Sequence, residues 1–391
     1  MRVLFTFAGG SGHADPLVPI ARALRAAGHT VAFAGRRSAA AVVEAHGFSL
    51  FAEPTGTPDG PPTISSLLEL DMEREYRVLR DGYADRTARV RADRLLELSA
   101  GWDPDLIVCD EVDFGSMIAA ERLGLPHATV LVNASGSFVR PDVVTEPLDA
   151  LRAEHGLRPD PGLVMLSRDL VLSPFPPSFR DPAYPLPANA LSLRPDGVDP
   201  TVIGVTPTWL SRLPDEPTVY FTLGTVFNVE SGDLFMRVLS GLQELSINVI
   251  VTVGRQIDPE VFGPQPDNVH IERYIPQSAL LPHCDLVVNH GGSGSVIGAL
   301  AHGLPMVVIP MGADQSLNAA RCEHLGVGIA LDAVRVAPRS VRDAVTVVLD
   351  TSTYRVAAER IRDEIAALPE PDAAVPLLER LGGEERAAPS A

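Results

Sequence analysis

Residues 285–312 read DLVVNHGGSGSVIGALAHGLPMVVIPMG. The apolar run at the start of this segment indicates a buried strand, the glycines after it indicate a tight turn, and the apolar residues that follow continue as a helix. The run MVVIPMG at residues 306–312 indicates the next strand. A strand, a helix and a second strand in this order predict neighbouring parallel strands in an α/β sheet.

The same alternation of strand and helix extends along the rest of the chain. Further strand-like runs in the second half lie at Val219–Thr225, Asn248–Gly254 and 268–274. Those in the first half lie at Arg2–Phe7, Thr30–Ala34, Phe48–Glu53 and 106–110, with helical segments at about Leu17–Ala27 and Leu67–Ala100. Residues 136–200 are rich in proline, and the segments PFPPSF and DPAYPLP within them cannot form long helices. We expect loops over a pocket there, followed by the approach to a linker.

A chain of 391 residues is longer than a single hydrophobic core usually organises. The two series of strands therefore predict two doubly wound, Rossmann-like α/β domains that face each other across a cleft. We place the first domain at residues 1–205, a linker at 206–217, the second domain at 218–381 and a disordered tail at 382–391. Ligands of such folds bind at the carboxyl ends of the strands, so the chemistry is expected in the cleft.

The charge balance excludes several classes of partner. The chain has 32 basic and 50 acidic residues and a net charge of -18, which repels nucleic acid and anionic membrane surfaces. The three cysteines, Cys109, Cys284 and Cys322, lack zinc-ligand spacing, and no segment has the ~20 apolar residues of a membrane span. We expect buried thiols, no metal ion, no other cofactor and a cytoplasmic location.

The glycine-rich turn is suited to a diphosphate. Gly291, Gly292 and Gly294 permit a close approach of the backbone, so the amides of residues 293–296 can converge on an anion. His290 stands at the end of the preceding strand and can donate a hydrogen bond to a phosphate oxygen. Together with the helix dipole, His290 could stabilise a leaving diphosphate in place of a metal ion.

A second histidine follows the first strand. In the segment AGGSGHADPL, residues 8–17, His13 lies on the loop that enters the first helix. A neutral imidazole is well matched to removing a proton from a hydroxyl near pH 7, so His13 is the candidate general base. Asp110, at the end of another strand, is expected to fix the tautomer of this imidazole. Asp113 could take that place, whereas Glu111 is expected to point the other way.

The residues described so far resemble a known signature. The stretch YIPQ at residues 274–277, the His290 turn and the pair Asp314–Gln315 resemble the donor-binding motif of family 1 glycosyltransferases, and the resemblance spans nearly the whole chain. It implies the GT-B fold, with a C-terminal helix that packs back on the N-terminal domain. It also implies inverting transfer of a hexose from a nucleotide diphosphate to a hydroxyl, with His13 and Asp110 as the catalytic dyad.

The resemblance further assigns the donor-binding residues. Tyr274 and Ile275 match positions that hold the nucleobase, by stacking and by backbone contacts respectively. His290 and Ser295 match phosphate ligands, and the Asp314–Gln315 pair matches residues that bind sugar hydroxyls. The candidate donor set is Gly224, Thr225, Tyr274, Ile275, Gln277, His290, Gly292, Ser293, Gly294, Ser295, Asp314 and Gln315.

One position departs from relatives that use uridine donors. Those relatives commonly carry a glutamate eight residues after the motif histidine, where this chain has Gly298. The glutamate binds both ribose hydroxyls, and without it a deoxyribose that lacks the 2'-hydroxyl loses no contact. The absence of the glutamate therefore favours a thymidine diphosphate (TDP) deoxysugar as the donor, as in the antibiotic-tailoring branch of the family. A UDP-sugar is the alternative.

The acceptor is expected to be a small hydrophobic natural-product aglycone held by the N-terminal domain. Candidate residues are Tyr76, Phe114 and Phe138, and Tyr83 and the proline-rich segment 174–187 could also line an apolar pocket, although aromatic residues at such positions commonly pack in the core. The sequence leaves open the aglycone, the choice between oxygen and carbon attack, and the need for a partner protein. A homodimer is compatible with it.

Other functions fit parts of the sequence. Gly10 and Gly12 resemble a dinucleotide fingerprint, and Arg36 and Arg37 would suit NADP, but the third glycine of the fingerprint is missing. An epimerase of the same architecture would alter a nucleotide sugar without any acceptor. A catalytically inactive relative that serves another transferase would need neither the base nor the donor turn.

Overall fold

The computed structural model describes residues 1–53, 64–195 and 207–383. Packing divides the chain into two compact units. The first contains Met1–Thr57, Glu73–Asp196 and Leu368–Ala391, and the second contains Pro58–Met72 and Gly197–Ala367. In the described part of the chain, every helix is too short or too polar to span a bilayer.

Each unit is built around a parallel sheet. The strands of the first unit are β1 (Arg2–Phe7), β2 (Thr30–Arg36), β3 (Ser49–Glu53), β4 (Leu106–Asp110), β5 (His127–Val130), β6 (Leu170–Ser173) and β7 (Ala190–Ser192). Those of the second are β8 (Thr218–Thr222), β9 (Asn248–Thr252), β10 (Val269–Glu272), β11 (Leu286–Asn289), β12 (Met306–Val308) and β13 (Gly328–Ala330). The strand orders are β3-β2-β1-β4-β5-β6-β7 and β10-β9-β8-β11-β12-β13. Two parallel α/β sheets of this order are Rossmann-like, so the predicted fold class is confirmed.

The helices cover the sheets. In the first unit they are α1 (Ser11–Ala14), α2 (Val18–Ala26), α3 (Ala40–Ala45), α4 (Met72–Arg77), a π-helix (Val78–Thr87), α5 (Ala88–Trp102), α6 (Phe114–Leu123) and α7 (Pro141–Glu154). Those of the second are α8 (Leu234–Leu242), α9 (Gln277–Leu280), α10 (Ser293–Ala301), α11 (Gln315–His324), α12 (Pro338–Asp350) and α13 (Ser352–Ala367), and the chain ends with α14 (Val375–Gly383). Shorter 3-10 turns connect several of them.

The order of strands reverses at one point in each sheet. In the first sheet this point lies between β1 and β4, and in the second it lies between β8 and β11. The register pairs Thr6 with Cys109 in the first unit and Thr222 with Asn289 in the second. Within each unit, the two loops that follow these strands therefore start side by side, and open α/β sheets bind their ligands at such a reversal.

The core of each unit lies between its sheet and its helices. The central strands β1, β4, β8, β9 and β11 are buried on both faces and are rich in valine, leucine, isoleucine and phenylalanine, as expected for a covered parallel sheet. In α12 the apolar residues Val341, Ala344, Val345 and Val348 recur at helical spacing and pack into the core of the second unit. All three cysteines are buried free thiols, as predicted.

The last helix belongs to the first unit. Leu378 of α14 lies in the same core as β1 and α2 residues, and α14 contacts both α2 and β4. The expectation that a C-terminal helix packs on the N-terminal domain is confirmed. This packing and the placement of Pro58–Met72 in the second unit differ from the predicted boundaries. Residue 206, the first of the predicted linker, lies outside the described residues. The predicted tail also lies outside them from residue 384 onwards, whereas Gly382 and Gly383 end α14.

The expectation of loops throughout residues 136–200 was wrong. Helix α7 occupies 14 of these residues, and β6 and β7 lie there as well. Pro141 stands in the first turn, where a missing amide costs nothing, and α7 retains Pro147 in its interior. Val144, Leu148 and Leu151 give α7 a buried apolar face, which outweighs the proline.

Candidate active site

The first unit brings His13 and Asp110 together. His13 lies in α1, directly after β1, and Asp110 is the last residue of β4. The His13 Nδ1 atom is 3.3 Å from Asp110 Oδ2, and the imidazole keeps 25% of its side chain accessible while Asp110 is fully buried. With Nδ1 directed at the carboxylate, Nε2 is the ring nitrogen that can accept a proton from a substrate.

Backbone amides fix the Asp110 carboxylate. Oδ2 accepts a hydrogen bond of 2.8 Å from the amide of Ala8, and Oδ1 accepts one of 2.7 Å from the amide of Val112. Both oxygens are therefore tied to the loops that follow β1 and β4. A buried carboxylate with such partners has a single orientation, which a group that orients a base requires.

The two alternative carboxylates have other partners. Asp113 caps α6 through the Ser116 amide and hydroxyl, and it lies 3.3 Å from the buried Arg91 guanidinium. Glu111 accepts hydrogen bonds from the amides of Val132 and Asn133, and burial raises the pKa of Glu111. Asp110 is thus the carboxylate that the fold presents to His13, whereas its catalytic role stays a prediction.

In the second unit, His290 is enclosed by two glycines. A Cβ atom added to Gly224 would lie 2.6 Å from Nε2 of His290, and one added to Gly292 would lie 2.5 Å from the same atom. Gly224 also has a φ of 75°, which side-chain-bearing residues rarely adopt. A side chain at either position would overlap the imidazole, so the imidazole can lie here only because both residues are glycine.

His290 is neutral near pH 7. Its burial lowers the pKa of the imidazole to about 4. The Nδ1 atom is buried and has no hydrogen-bond partner in the structure. A buried polar atom without a partner is uncommon, and a ligand bound beside His290 could supply one.

The helix after His290 presents its N-terminus at the same place. Gly292 caps α10, whose first residues, Ser293, Gly294 and Ser295, are all at least partly accessible. The first amides of a nine-residue helix have no intrahelical acceptor and favour an anion. His290 and the start of α10 are therefore suited to a phosphate group, a role that stays a prediction.

Asp314 and Gln315 lie beside this site at the start of α11. Asp314 Oδ2 accepts hydrogen bonds from the Ser293 hydroxyl and the Asn318 side-chain amide, each 2.8 Å long. Gln315 Oε1 accepts a bond of 2.8 Å from the Met311 amide. The Gln315 oxygen is thus committed to the loop before α11, so its amide nitrogen is the group suited to a sugar oxygen.

The remaining donor candidates differ in their surroundings. Gln277 donates a hydrogen bond of 3.3 Å to the Ser295 hydroxyl, so these two residues lie together. Tyr274 is 45% exposed, and the Arg255 guanidinium lies 4.2 Å from its ring centre. The Ile275 side chain is buried and Thr225 is exposed. The nucleobase and phosphate roles of these residues stay predictions.

The acceptor candidates do not form one group. Tyr76 and Phe138 stack with their ring centres 5.9 Å apart, and the Arg140 guanidinium lies over the Tyr76 ring. Phe114 is fully buried as the first residue of α6, so it belongs to the core rather than to an acceptor surface. Its choice as a candidate rested on residue type alone, which does not distinguish a core ring from an accessible one.

Several site residues were missed by the sequence argument. A Cβ on Gly9 would lie 2.0 Å from the His13 ring, and Asn318 holds Asp314 from the next helical turn. The spacing of four residues between Asp314 and Asn318 could have indicated the second contact. Arg255 lies outside every motif and gave no signal. Among the described residues, no group of three or more histidine, cysteine, aspartate or glutamate side chains is placed to hold a metal ion.

Two Rossmann-like parallel sheets are the architecture of GT-B glycosyltransferases, and comparison with known proteins shows that the chain belongs to that class. Residues 236–381 match the family described as erythromycin biosynthesis protein CIII-like, C-terminal domain. The L-demethylnoviosyl transferase of Streptomyces niveus is 31% identical, over 99% of both chains. The TDP-daunosamine transferase DnrS of Streptomyces peucetius is 29% identical, over 99% of this chain and 98% of its own. The structure of the spinosyn rhamnosyltransferase SpnG covers 97% of this chain and all of its own at 24% identity, with a TM-score of 0.81, and supports the fold.

The chain therefore belongs to the family of glycosyltransferases that includes these antibiotic and natural-product enzymes. It is itself a glycosyltransferase.

Proposed function

We propose that this enzyme transfers a deoxyhexose from a TDP-sugar to a hydroxyl of a small hydrophobic natural-product aglycone, with inversion at the anomeric carbon. The observation that carries the proposal is that each sheet bears a histidine at its point of strand reversal. One histidine is partly accessible and paired with a buried carboxylate, and the other is buried, neutral and next to a helix N-terminus. The first arrangement suits a base and the second suits a diphosphate.

The acceptor hydroxyl is activated at His13. Nε2 of the imidazole takes the hydroxyl proton while the oxygen forms a bond to the anomeric carbon. The adjacent Asp110 carboxylate stabilises the imidazolium that results, and its two amide contacts keep it in place. Attack from the face opposite the diphosphate inverts the anomeric centre without a covalent glycosyl-enzyme.

The bond to the diphosphate breaks as the new bond forms, and its electron pair leaves with the TDP. We place this developing charge against the first amides of α10 and the neutral His290 imidazole, which donates a hydrogen bond. The held position of His290 between Gly224 and Gly292 means that it needs no reorganisation during transfer. This arrangement supports a transfer that proceeds without a divalent metal ion.

A thymidine nucleotide is favoured because position 298 is glycine, where uridine-dependent relatives commonly have a glutamate that binds both ribose hydroxyls. A Cβ atom at this position would lie 3.1 Å from Oε1 of Gln277, so a side chain there would require Gln277 to shift. Gln277 is also held by Ser295, next to the phosphate site. The name of the daunosamine transferase likewise specifies a TDP-sugar.

The acceptor class rests on the family and on the stacked pair of Tyr76 and Phe138. Tyr76 is partly accessible and Phe138 is nearly buried, so the pair offers one aromatic face. Such a face suits a flat or apolar aglycone.

The test is a transfer assay with a panel of TDP-hexoses, UDP-glucose as the competing donor, and hydroxylated apolar aglycones, in the presence of a chelator. We expect TDP release that depends on the aglycone, with a matching mass increase of the aglycone, and loss of both in His13→Ala. Transfer from UDP-glucose alone would contradict the donor assignment. A changed nucleotide sugar without an acceptor would indicate an epimerase, and loss of transfer with the chelator would contradict metal independence.

A further inference from the structure

The contact between His13 and Asp110 is too weak to fix the imidazole alone. Its length of 3.3 Å lies at the long end for a hydrogen bond to a carboxylate, which is usually about 2.7–2.9 Å. A contact at Nδ1 does not by itself set the tilt of the ring about that atom. Groups packed against the faces of the imidazole therefore contribute to the direction of Nε2.

Gly9 and Tyr83 lie against the imidazole. The backbone of Gly9 approaches so closely that a Cβ there would lie 2.3 Å from Nε2. The Tyr83 ring lies nearly parallel to the imidazole, with an angle of 16° between the planes and 6.0 Å between the ring centres. Parallel, displaced rings at this distance attract each other and restrict rotation.

The position of Tyr83 depends on an unusual helix. Tyr83 lies within the ten-residue π-helix Val78–Thr87, which continues α4 and leads into α5. Helices of this type are rare and are frequent at functional sites. The π-helix packs against α6 and α7, so Tyr83 projects from a supported element rather than from a loop.

Tyr83 keeps its hydroxyl proton in this environment. Burial raises the pKa of Tyr83, the nearby Arg36 guanidinium opposes the rise, and the Asp110 carboxylate adds to it. The charged groups that face Tyr83 are thus one cation and the dyad carboxylate. A neutral phenol does not compete with Asp110 for the positive charge of the imidazolium.

We propose that Tyr83 is a positioning residue of the transfer reaction, whose ring holds the His13 imidazole so that Nδ1 stays on Asp110 and Nε2 faces the acceptor hydroxyl. The inference rests on the proposed role of His13 as the base. It assigns the function to the aromatic ring and not to the phenolic hydroxyl.

The experiment compares Tyr83→Leu with Tyr83→Phe. We expect Tyr83→Leu to lower kcat about 10- to 100-fold, because a displacement of the base by an ångström has that effect, while KM for the donor stays within about twofold. Tyr83→Phe keeps the ring and should retain kcat within about threefold. In a His13→Ala background, Tyr83→Leu should have no further effect, since residues that act as a unit are not additive. Thermal unfolding and TDP binding of each variant report whether the fold and the donor site are intact.

Nitrogen NMR of the histidine rings provides a readout without turnover. We expect His13 in the wild type and in Tyr83→Phe to show the tautomer with the proton on Nδ1, and Tyr83→Leu to show a mixture. An unchanged tautomer together with unchanged kcat in Tyr83→Leu would overturn the inference, and so would an equal loss of kcat in Tyr83→Phe. A wild-type enzyme that transfers no sugar would instead refute the proposed function, and the NMR comparison would still decide whether Tyr83 positions the ring.

Discussion

Replacing Gly292 by alanine tests the role of His290 without altering its chemistry. Gly292 has φ and ψ of -62° and 140°, which any residue adopts, so alanine introduces no backbone strain. The added Cβ would lie 2.5 Å from His290 Nε2, where an ordinary contact is at least 3.4 Å. The imidazole must therefore retreat by about 1 Å, which is enough to break a well-aligned hydrogen bond to a phosphate.

The loss of that hydrogen bond sets the expected magnitude. A hydrogen bond to a charged group contributes about 1.5–3 kcal/mol, which corresponds to TDP affinity that is roughly 10- to 100-fold weaker. Isothermal titration calorimetry with TDP measures this change directly. Gly101→Ala is the matched control, because a Cβ there meets no atom within 4 Å and the site lies in α5 of the other unit.

A double-mutant cycle separates displacement of the imidazole from any other effect of the methyl group. In a His290→Ala background no ring remains to be displaced, so Gly292→Ala should then have little effect on TDP affinity. Wild-type affinity in Gly292→Ala, or an equal loss in both backgrounds, would refute the role given to His290.

Three further predictions concern the dyad, the pH dependence of stability and the nucleotide. Asp110→Asn should lower kcat by about 100- to 10 000-fold with TDP affinity unchanged, since the imidazolium loses its carboxylate; steady-state kinetics with wild-type turnover would contradict the dyad. The pKa of His290 is about 4 in the folded protein against 6.5 for an ordinary histidine. The contribution of this burial to the free energy of unfolding is therefore fully present above pH 6.5 and is lost as the pH falls towards 4. Urea unfolding should therefore show that His290→Gln loses about 2 kcal/mol less than the wild type between pH 7 and pH 5, and equal losses would contradict the burial of a neutral imidazole. Gly298→Glu should weaken TDP binding relative to UDP in competition titrations, because a glutamate there can bind both ribose hydroxyls of UDP and thymidine has only one. An unchanged TDP-to-UDP ratio would remove position 298 from nucleotide selection.

The pattern of apolar runs in the sequence predicted most of the fold. The apolar runs at Arg2–Phe7 and Leu106–Asp110 coincide with β1 and β4, because buried parallel strands are nearly continuous runs of apolar residues. The rule that catalytic groups follow strand ends then placed His13 near Asp110. Helix α7 was missed, since its two prolines masked an apolar face that is visible only when Val144, Leu148 and Leu151 are read at helical spacing.

Some features of the site depend on tertiary contacts and could not be predicted from the sequence. Asp110 was preferred to Asp113 by a general rule, whereas the structure shows the physical reason, which is that Asp113 caps α6 and pairs with Arg91. The stacking of Tyr83 on His13 has no local signature, because it joins segments far apart in sequence. Phe114 shows the opposite case, an aromatic residue whose type suits a pocket and whose position is the core.

The central claim is that the His290 turn of the second unit binds a thymidine diphosphate donor. The most direct measurement is calorimetric titration of the purified protein with TDP and with UDP, each in the presence of a chelator, alongside His290→Ala. The account predicts that TDP binds to the wild-type protein at least about tenfold more tightly than UDP does. It also predicts that His290→Ala binds TDP about tenfold more weakly than the wild type. Tighter binding of UDP would contradict the choice of nucleotide, and the absence of binding by either nucleotide would contradict the donor site itself.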